Sequence, residues 1–220
     1  MERGRGMNIV FDLDGTLIDS APDIRAAANI MLAAEGAEPL DMPTTISFIG
    51  NGIPKLVERA MRARNLPEGE HARLTQAMLA AYDKDPATLT RLYPGLDALL
   101  PKLKADGHRL GVCTNKPLAP TKQILDIFGI TDLFDVIIGG DTLPVKKPDP
   151  APLVAAYEAL GDGARLYVGD SEVDAETAER ANIPFALFTE GYRKVPVQEL
   201  THVLTFDHFD ALGSYIETTR

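Results

Sequence analysis

Two aspartates, Asp12 and Asp14, stand where an apolar run meets a glycine turn, in Val10-Phe11-Asp12-Leu13-Asp14-Gly15-Thr16-Leu17. Side chains alternate along an extended strand, so both carboxylates face the same side. Two like charges in an apolar setting are costly unless a cation joins them. The doublet therefore reads as more than an Asp-Gly turn: it offers hard oxygen ligands and a carboxylate that can attack or move a proton. The pattern of apolar strand, glycine and acid returns in Tyr167-Val168-Gly169-Asp170-Ser171-Glu172-Val173-Asp174. With a helix starting near Ser171, Asp170 and Asp174 reach one region. Taken alone, those two acids also fit an N-cap and a first-turn complement to the helix dipole.

Two other segments supply what an acid cluster lacks. Lys147 precedes Pro148-Asp149-Pro150, with a helix expected just after, which suits a stationary cation; Lys146 reads as ordinary surface. Val112-Cys113-Thr114-Asn115-Lys116-Pro117 places a hydroxyl at the end of another apolar run. On its own, Thr114-Asn115 is no more than a turn or a cap.

These segments need a scaffold. Apolar runs at residues 7–12, 109–113, 134–138, 165–169 and 185–188, with a weaker one near Val203-Leu204, alternate with helical patterns. Runs apolar on both faces indicate a parallel sheet covered on both sides, a doubly wound α/β fold with ligands at the carboxyl ends of its strands. Nearly a hundred residues separate Asp12 from Arg109, far more than one crossover helix needs. Helical stripes at 22–35, 54–64 and 68–82 fill that interval. We expect residues 20–92 to form an inserted helical cap domain, with 1–19 and 93–220 forming a Rossmann-like core.

The composition sets limits. With 45% hydrophobic and 25% charged residues the chain is ordinary globular protein. A formal net charge of −10 and no cationic block beyond Lys146-Lys147 argue against a nucleic-acid partner. A phosphate site must then draw its positive charge from a metal, a lysine or helix N-termini. Cys113 is the single cysteine, so no intrachain disulfide is expected. No run approaches the ~20 apolar residues of a membrane span, and the charged start is not followed by a signal-peptide stretch. A cytoplasmic location is expected, with either Met1 or Met7 as the start and a monomer or homodimer both open.

In order along the chain, the four segments resemble the four motifs of the haloacid-dehalogenase-like hydrolase superfamily, and the resemblance spans essentially the whole chain. It implies a covalent phosphatase: Asp12 as nucleophile, Asp14 as general acid and base, and Lys147, Thr114 and Asn115 on the phosphoryl group. It implies Mg²⁺ held by Asp12, the backbone carbonyl of Asp14 and Asp170, with Asp174 supporting from close by. Within the superfamily, Asp19-Ser20-Ala21-Pro22-Asp23, Phe48-Ile49-Gly50-Asn51-Gly52, Val57-Glu58-Arg59-Ala60, Thr114-Asn115-Lys116-Pro117, Ile138-Gly139-Gly140-Asp141 and residues 147–153 look like the phosphoglycolate phosphatase family. Phe48, where tryptophan is common, and the stretch 189–193 depart from that pattern. The small phosphorylated metabolite expected is therefore 2-phosphoglycolate, arising from carbon fixation or DNA-end repair. Its carboxylate needs a reader, for which we single out backbone donors at Gly50, Asn51 and Gly52, with Lys55 or Arg59 adding charge. Alternatives are a phosphatase for another small ester or pyrophosphate, a sugar-phosphate mutase, and a non-catalytic Mg²⁺-binding receiver-like domain. Gly50-Asn51-Gly52 followed by Ile53-Pro54 is not a dinucleotide fingerprint.

Overall fold

The computed structural model describes residues 6–219; the charged start of the chain, with Met1, and the last residue lie outside the described residues. Most expected strands appear with nearly the expected bounds. They are β1 (Asn8–Phe11), β4 (Arg109–Cys113), β5 (Val136–Ile138), β6 (Arg165–Gly169), β7 (Phe185–Phe188) and β8 (Leu204–Phe206). The chain leaves and re-enters this core through two short paired strands, β2 (Ile18–Asp19) and β3 (Arg91–Leu92).

The six main strands form one parallel sheet in the order β5-β4-β1-β6-β7-β8. β1 and β7 are buried along their whole lengths, as strands covered on both faces must be. Helices α5 (Leu96–Ala105), α6 (Leu118–Ile127), α7 (Ala151–Leu160), α8 (Glu172–Ala181) and α9 (Phe209–Thr218) supply the crossovers and the final flank. Against β4, β5 and β1 lie Tyr157, Leu153 and Leu160 of α7, all essentially inaccessible to solvent. Burying a side chain of that size contributes roughly 1.5–3 kcal/mol, enough to hold the strand ends in fixed register.

That register positions the chemistry. Phe11 lies beside Val112 of β4 and Val168 of β6, and the Asp12 N–H donates to the Val168 carbonyl at 2.9 Å. The residues leaving these three central strands, Asp12, Thr114 and Asp170, therefore emerge together at the carboxyl edge. The chain direction splits there, with β4 and β5 on one side of β1 and β6 to β8 on the other.

The chain divides into a compact unit of Met1–Ile18 with Leu92–Arg220 and a second unit of Asp19–Arg91. The second unit is helical: α1 (Ala21–Ala34), α2 (Met42–Phe48), α3 (Ile53–Ala63) and α4 (His71–Lys84). Helix α2 was not expected. Its Thr-Thr-Ile-Ser run favours strands, but the Asp41 carboxylate caps it through the Thr44 N–H at 2.8 Å and a proline opens its first turn. The third expected stripe starts later than its apolar period suggests, because Glu68–Glu70 forms a separate 3₁₀ turn. The buried Asp23 carboxylate closes this unit. It accepts from the N–H groups of Leu89 (3.0 Å) and Thr90 (2.7 Å) and from the Thr90 hydroxyl (2.6 Å). Among the described residues no helix is long and apolar enough to cross a membrane.

Candidate active site

Asp12, Asp170 and Asp174 are all buried, and one carboxylate oxygen of each lies within 4.8 Å of the others. Lys147, 5% exposed, stands among them. Its ammonium is 2.8 Å from Asp12 Oδ1 and 2.6 Å from Asp174 Oδ1. The contact to Asp12 is a close ion pair, so the buried Asp12 Oδ1 is held by the Lys147 charge rather than by a well-aligned hydrogen bond. Burial pushes the Asp12 carboxyl up to about 7, helped by the charges of Asp174 and Asp14 and opposed by Lys147.

Asp174 is occupied differently. Its Oδ1 accepts from Lys147 Nζ and from the Tyr167 hydroxyl at 2.7 Å, while Oδ2 accepts from the Ser171 hydroxyl at 2.6 Å and the Ser171 N–H at 3.2 Å. Burial disfavours its charge, but Lys147 and these donors outweigh burial and hold its pKa below the usual carboxylate value. Lys147 is the mirror case: desolvation works against its charge, and Asp12 and Asp174 overcome it and raise its pKa. Tyr167 completes the group, accepting from Lys147 Nζ at 2.9 Å.

Asp170 sits in a cradle of backbone. Its Oδ1 accepts from the Thr16 hydroxyl at 2.8 Å and its Oδ2 from the Tyr192 N–H at 2.6 Å. Gly15, at φ +91°, and Gly191 approach so closely that a β-carbon at either would collide with the Asp170 carboxylate. Burial first, then the charges of Asp174 and Asp12, raises its pKa well above the ordinary carboxylate value. Three acids are thus brought together with one cation between two of them.

Asp14 turns to a second buried lysine. Lys116 Nζ donates to its two carboxylate oxygens at 2.8 and 3.0 Å, with both side chains largely enclosed. Thr114 is buried beside this pair, and its hydroxyl accepts from the Lys116 N–H at 3.2 Å. Asn115 turns its side-chain amide to the Lys147 backbone, donating to the Lys147 carbonyl and accepting from the Lys147 N–H, both at 3.0 Å. That amide thereby fixes the loop that carries Lys147.

The other expected residues lie in the second unit. Gly52 is the N-cap of α3 at φ +84°, and Gly50 also has positive φ, at +116°. Arg59 braces this loop, donating to the Phe48 carbonyl at 2.7 Å and the Asn51 side chain at 2.9 Å. Lys55 is exposed and paired with Glu58. Neither cation is presented as a free charge.

Counted as ionised, four carboxylates, Asp12, Asp14, Asp170 and Asp174, face two ammonium groups, Lys116 and Lys147, a formal excess of two negative charges. A divalent cation would neutralise that excess and keep Asp12 and Asp170 ionised. Oxygen-only donors on three buried aspartates and the glycine-lined approach to Asp170 fit Mg²⁺. Asp174, with four donors already upon it, fits a supporting place better than direct ligation.

Four contributors escaped the sequence reading: Lys116, Tyr167, Thr16 and Tyr192. Tyr167 reaches the site through Asp174 on the following helix, a contact that strand alternation does not reveal. Lys116 belongs to a quoted segment, but its residue type alone gives no sign of its pairing with Asp14. Tyr192 acts through its backbone, which leaves no mark on residue type.

Comparison with known proteins agrees with this geometry. The family model described as haloacid dehalogenase-like hydrolase matches residues 9–188. A phosphoglycolate phosphatase of Cereibacter sphaeroides is 55% identical over 206 residues, covering 93% of this chain and 94% of its own. One from Rhodobacter capsulatus is 42% identical, covering 95% and 96%. The crystal structure of a predicted phosphoglycolate phosphatase from Haemophilus somnus superposes with a TM-score of 0.90 at 32% identity over the full length of both chains.

Proposed function

The chain belongs to the haloacid dehalogenase-like hydrolases and is a phosphatase, and we propose that it hydrolyses 2-phosphoglycolate through a phosphorylated Asp12. The observation that carries this reading is the strand-end cluster itself: the buried Asp12 carboxylate, a fixed ammonium 2.8 Å from it, and a second carboxylate two residues on. The identity of the leaving group is carried by similarity to curated phosphoglycolate phosphatases along almost the whole chain.

Each residue follows from its surroundings. Asp12 attacks phosphorus in line with the ester oxygen, and the phosphoryl group passes to its carboxylate, splitting one difficult displacement into two. Lys147, held by Asp174 and Tyr167, presents fixed positive charge to the phosphoryl oxygens, with Thr114 beside it. Asp14 gives a proton to the departing glycolate oxygen and takes one from the water that cleaves the aspartyl-phosphate, help worth roughly 10²–10⁴-fold. Asp12, the Asp14 carbonyl and Asp170 would hold Mg²⁺, which when bound offsets charge between nucleophile and phosphate.

A panel of phosphate esters assayed with Mg²⁺ tests the reading. 2-Phosphoglycolate should exceed aryl and sugar phosphates in kcat/KM, and acid quench should trap phosphate on Asp12. A preference for a sugar phosphate would overturn the substrate; a stable phosphoenzyme with negligible turnover would favour a receiver-like role.

A further inference from the structure

We propose that Lys116, from the core unit, binds the carboxylate of the substrate and so determines specificity for 2-phosphoglycolate. The inference rests on the phosphatase reading above and assigns the recognition of the leaving group to a particular cation.

The argument starts from connectivity. In 2-phosphoglycolate the carboxylate is attached to the carbon bonded to the ester oxygen. Whatever group serves that oxygen therefore lies next to the carboxylate as well. Asp14 is that group, and Lys116 Nζ is already within hydrogen-bond distance of its two carboxylate oxygens. An ammonium is a compact charge with three donors, able to serve two carboxylates at once. A substrate seated with its ester oxygen on Asp14 thus brings its carboxylate within reach of Lys116.

Elimination points the same way. Only two lysines, and no arginine, are buried among the described residues: Lys116 and Lys147. Lys147 is committed to the phosphoryl end, where Asp12 and Asp174 hold it. Lys55 pairs with Glu58 on the surface, and Arg59 is spent on Phe48 and Asn51. A carboxylate removed from water needs a charged, desolvated partner to offset its lost hydration. Lys116 is the cation in the right place with the right burial. The sequence supports its fixed placement, since Pro117 is the N-cap of α6 and the Lys116 carbonyl accepts from the Gly140 N–H at 2.7 Å.

The experiment compares 2-phosphoglycolate with ethyl phosphate, which keeps the ester oxygen and replaces the carboxylate by a methyl group. In Lys116→Met the ratio of the two kcat/KM values should fall at least tenfold, mainly through KM for 2-phosphoglycolate, and Lys116→Arg should restore most of it. An equal loss on both substrates would mean that Lys116 acts only through Asp14, and would overturn the proposal. A wild-type enzyme that does not prefer 2-phosphoglycolate would instead reject the substrate reading itself. A binding measurement covers the case in which the Met variant does not fold. In Asp14→Asn, Lys116 loses its competing carboxylate, so glycolate should bind several-fold more tightly than to wild type while inorganic phosphate changes little. Unchanged or weaker glycolate binding would refute the assignment.

Discussion

Replacing Asp170 by asparagine should make the metal-free protein more stable and Mg²⁺ unable to stabilise it further. The substitution keeps shape. An asparagine oxygen can still accept from the Tyr192 N–H, and its amide can donate to the Thr16 hydroxyl, which reverses its role by rotation. What disappears is charge. Carboxylate oxygens within 4.8 Å of one another repel by at least about 3.5 kcal/mol per ionised pair at an effective dielectric near 20. Lys147 offsets part of this for Asp12 and Asp174, but no cation pairs with Asp170 among the ion pairs found. A net gain on the order of 1–3 kcal/mol in chelator is expected. The sign also depends on pH. An acid whose folded pKa is raised costs stability as pH climbs from the unfolded value through the folded one. The gain in Asp170→Asn should therefore be larger at pH 8 than at pH 5.

Metal reverses the order. At a concentration a hundred times its Kd, Mg²⁺ stabilises the wild type by about 2.7 kcal/mol, or about 5–10 °C in Tm for a chain of this size. Asp170→Asn should show little of that shift. Thermal melts of both proteins in chelator and in Mg²⁺ measure all four states. A variant that melts below wild type in chelator, or that keeps the full Mg²⁺ shift, would refute the assignment of Asp170 as a metal-facing, charge-strained carboxylate.

Other perturbations test the remaining parts. Asp12→Asn should fold and lose turnover by at least a thousandfold; a tenth of wild-type rate would exclude the covalent route. Gly191→Ala should weaken Mg²⁺ binding measured by calorimetry, because the new methyl displaces the Asp170 carboxylate; unchanged affinity would show that the cradle is slack. Tyr167→Phe removes a donor from Asp174 and an acceptor from Lys147, and should lower kcat about tenfold with a smaller change in KM. Gly52 replaced by a bulky residue should harm 2-phosphoglycolate more than an aryl phosphate if the loop serves the substrate; equal losses would assign it to folding.

The sheet was legible because its strands are apolar on both faces, a pattern that few other structures satisfy. Arg109–Cys113, Arg165–Gly169 and Phe185–Phe188 have the bounds expected from composition. Asp12 and Asp170 were legible for a related reason: a charge directly after a fully buried strand has to be explained. Less legible were contacts whose chemistry lies in partnership rather than in residue type. The Lys116–Asp14 pair joins positions 102 apart in sequence, and nothing local distinguishes a paired lysine from a solvated one. The side-chain partner of Asn115 was hidden for the same reason, since an amide beside a hydroxyl at a strand end could face a ligand or a neighbouring loop. Register decides between them, and register belongs to the assembled sheet.

The arrangement also explains why Asp174, the acid most completely satisfied by hydrogen bonds, sits in the middle of the cluster. A site with excess negative charge cannot be held in shape by metal alone, because it must exist before the metal arrives. Asp174 gives up its charge to Lys147 and its lone pairs to Tyr167 and Ser171. In return it fixes the ammonium between the β1 and β6 ends and starts α8 at the carboxyl edge of the sheet. Asp12 and Asp170 can then repel one another without pulling the site apart. Removing Asp174 should consequently do more harm to folding than removing Asp170, although both are buried aspartates four residues apart. Asp174→Asn places an amide against Lys147 and leaves that ammonium with Asp12 alone, an uncompensated arrangement costing about 3–5 kcal/mol. Comparing the two asparagine variants by chemical denaturation in chelator checks the ordering: Asp170→Asn above wild type, Asp174→Asn well below. The opposite order would place the structural anchor and the metal-facing acid the other way round.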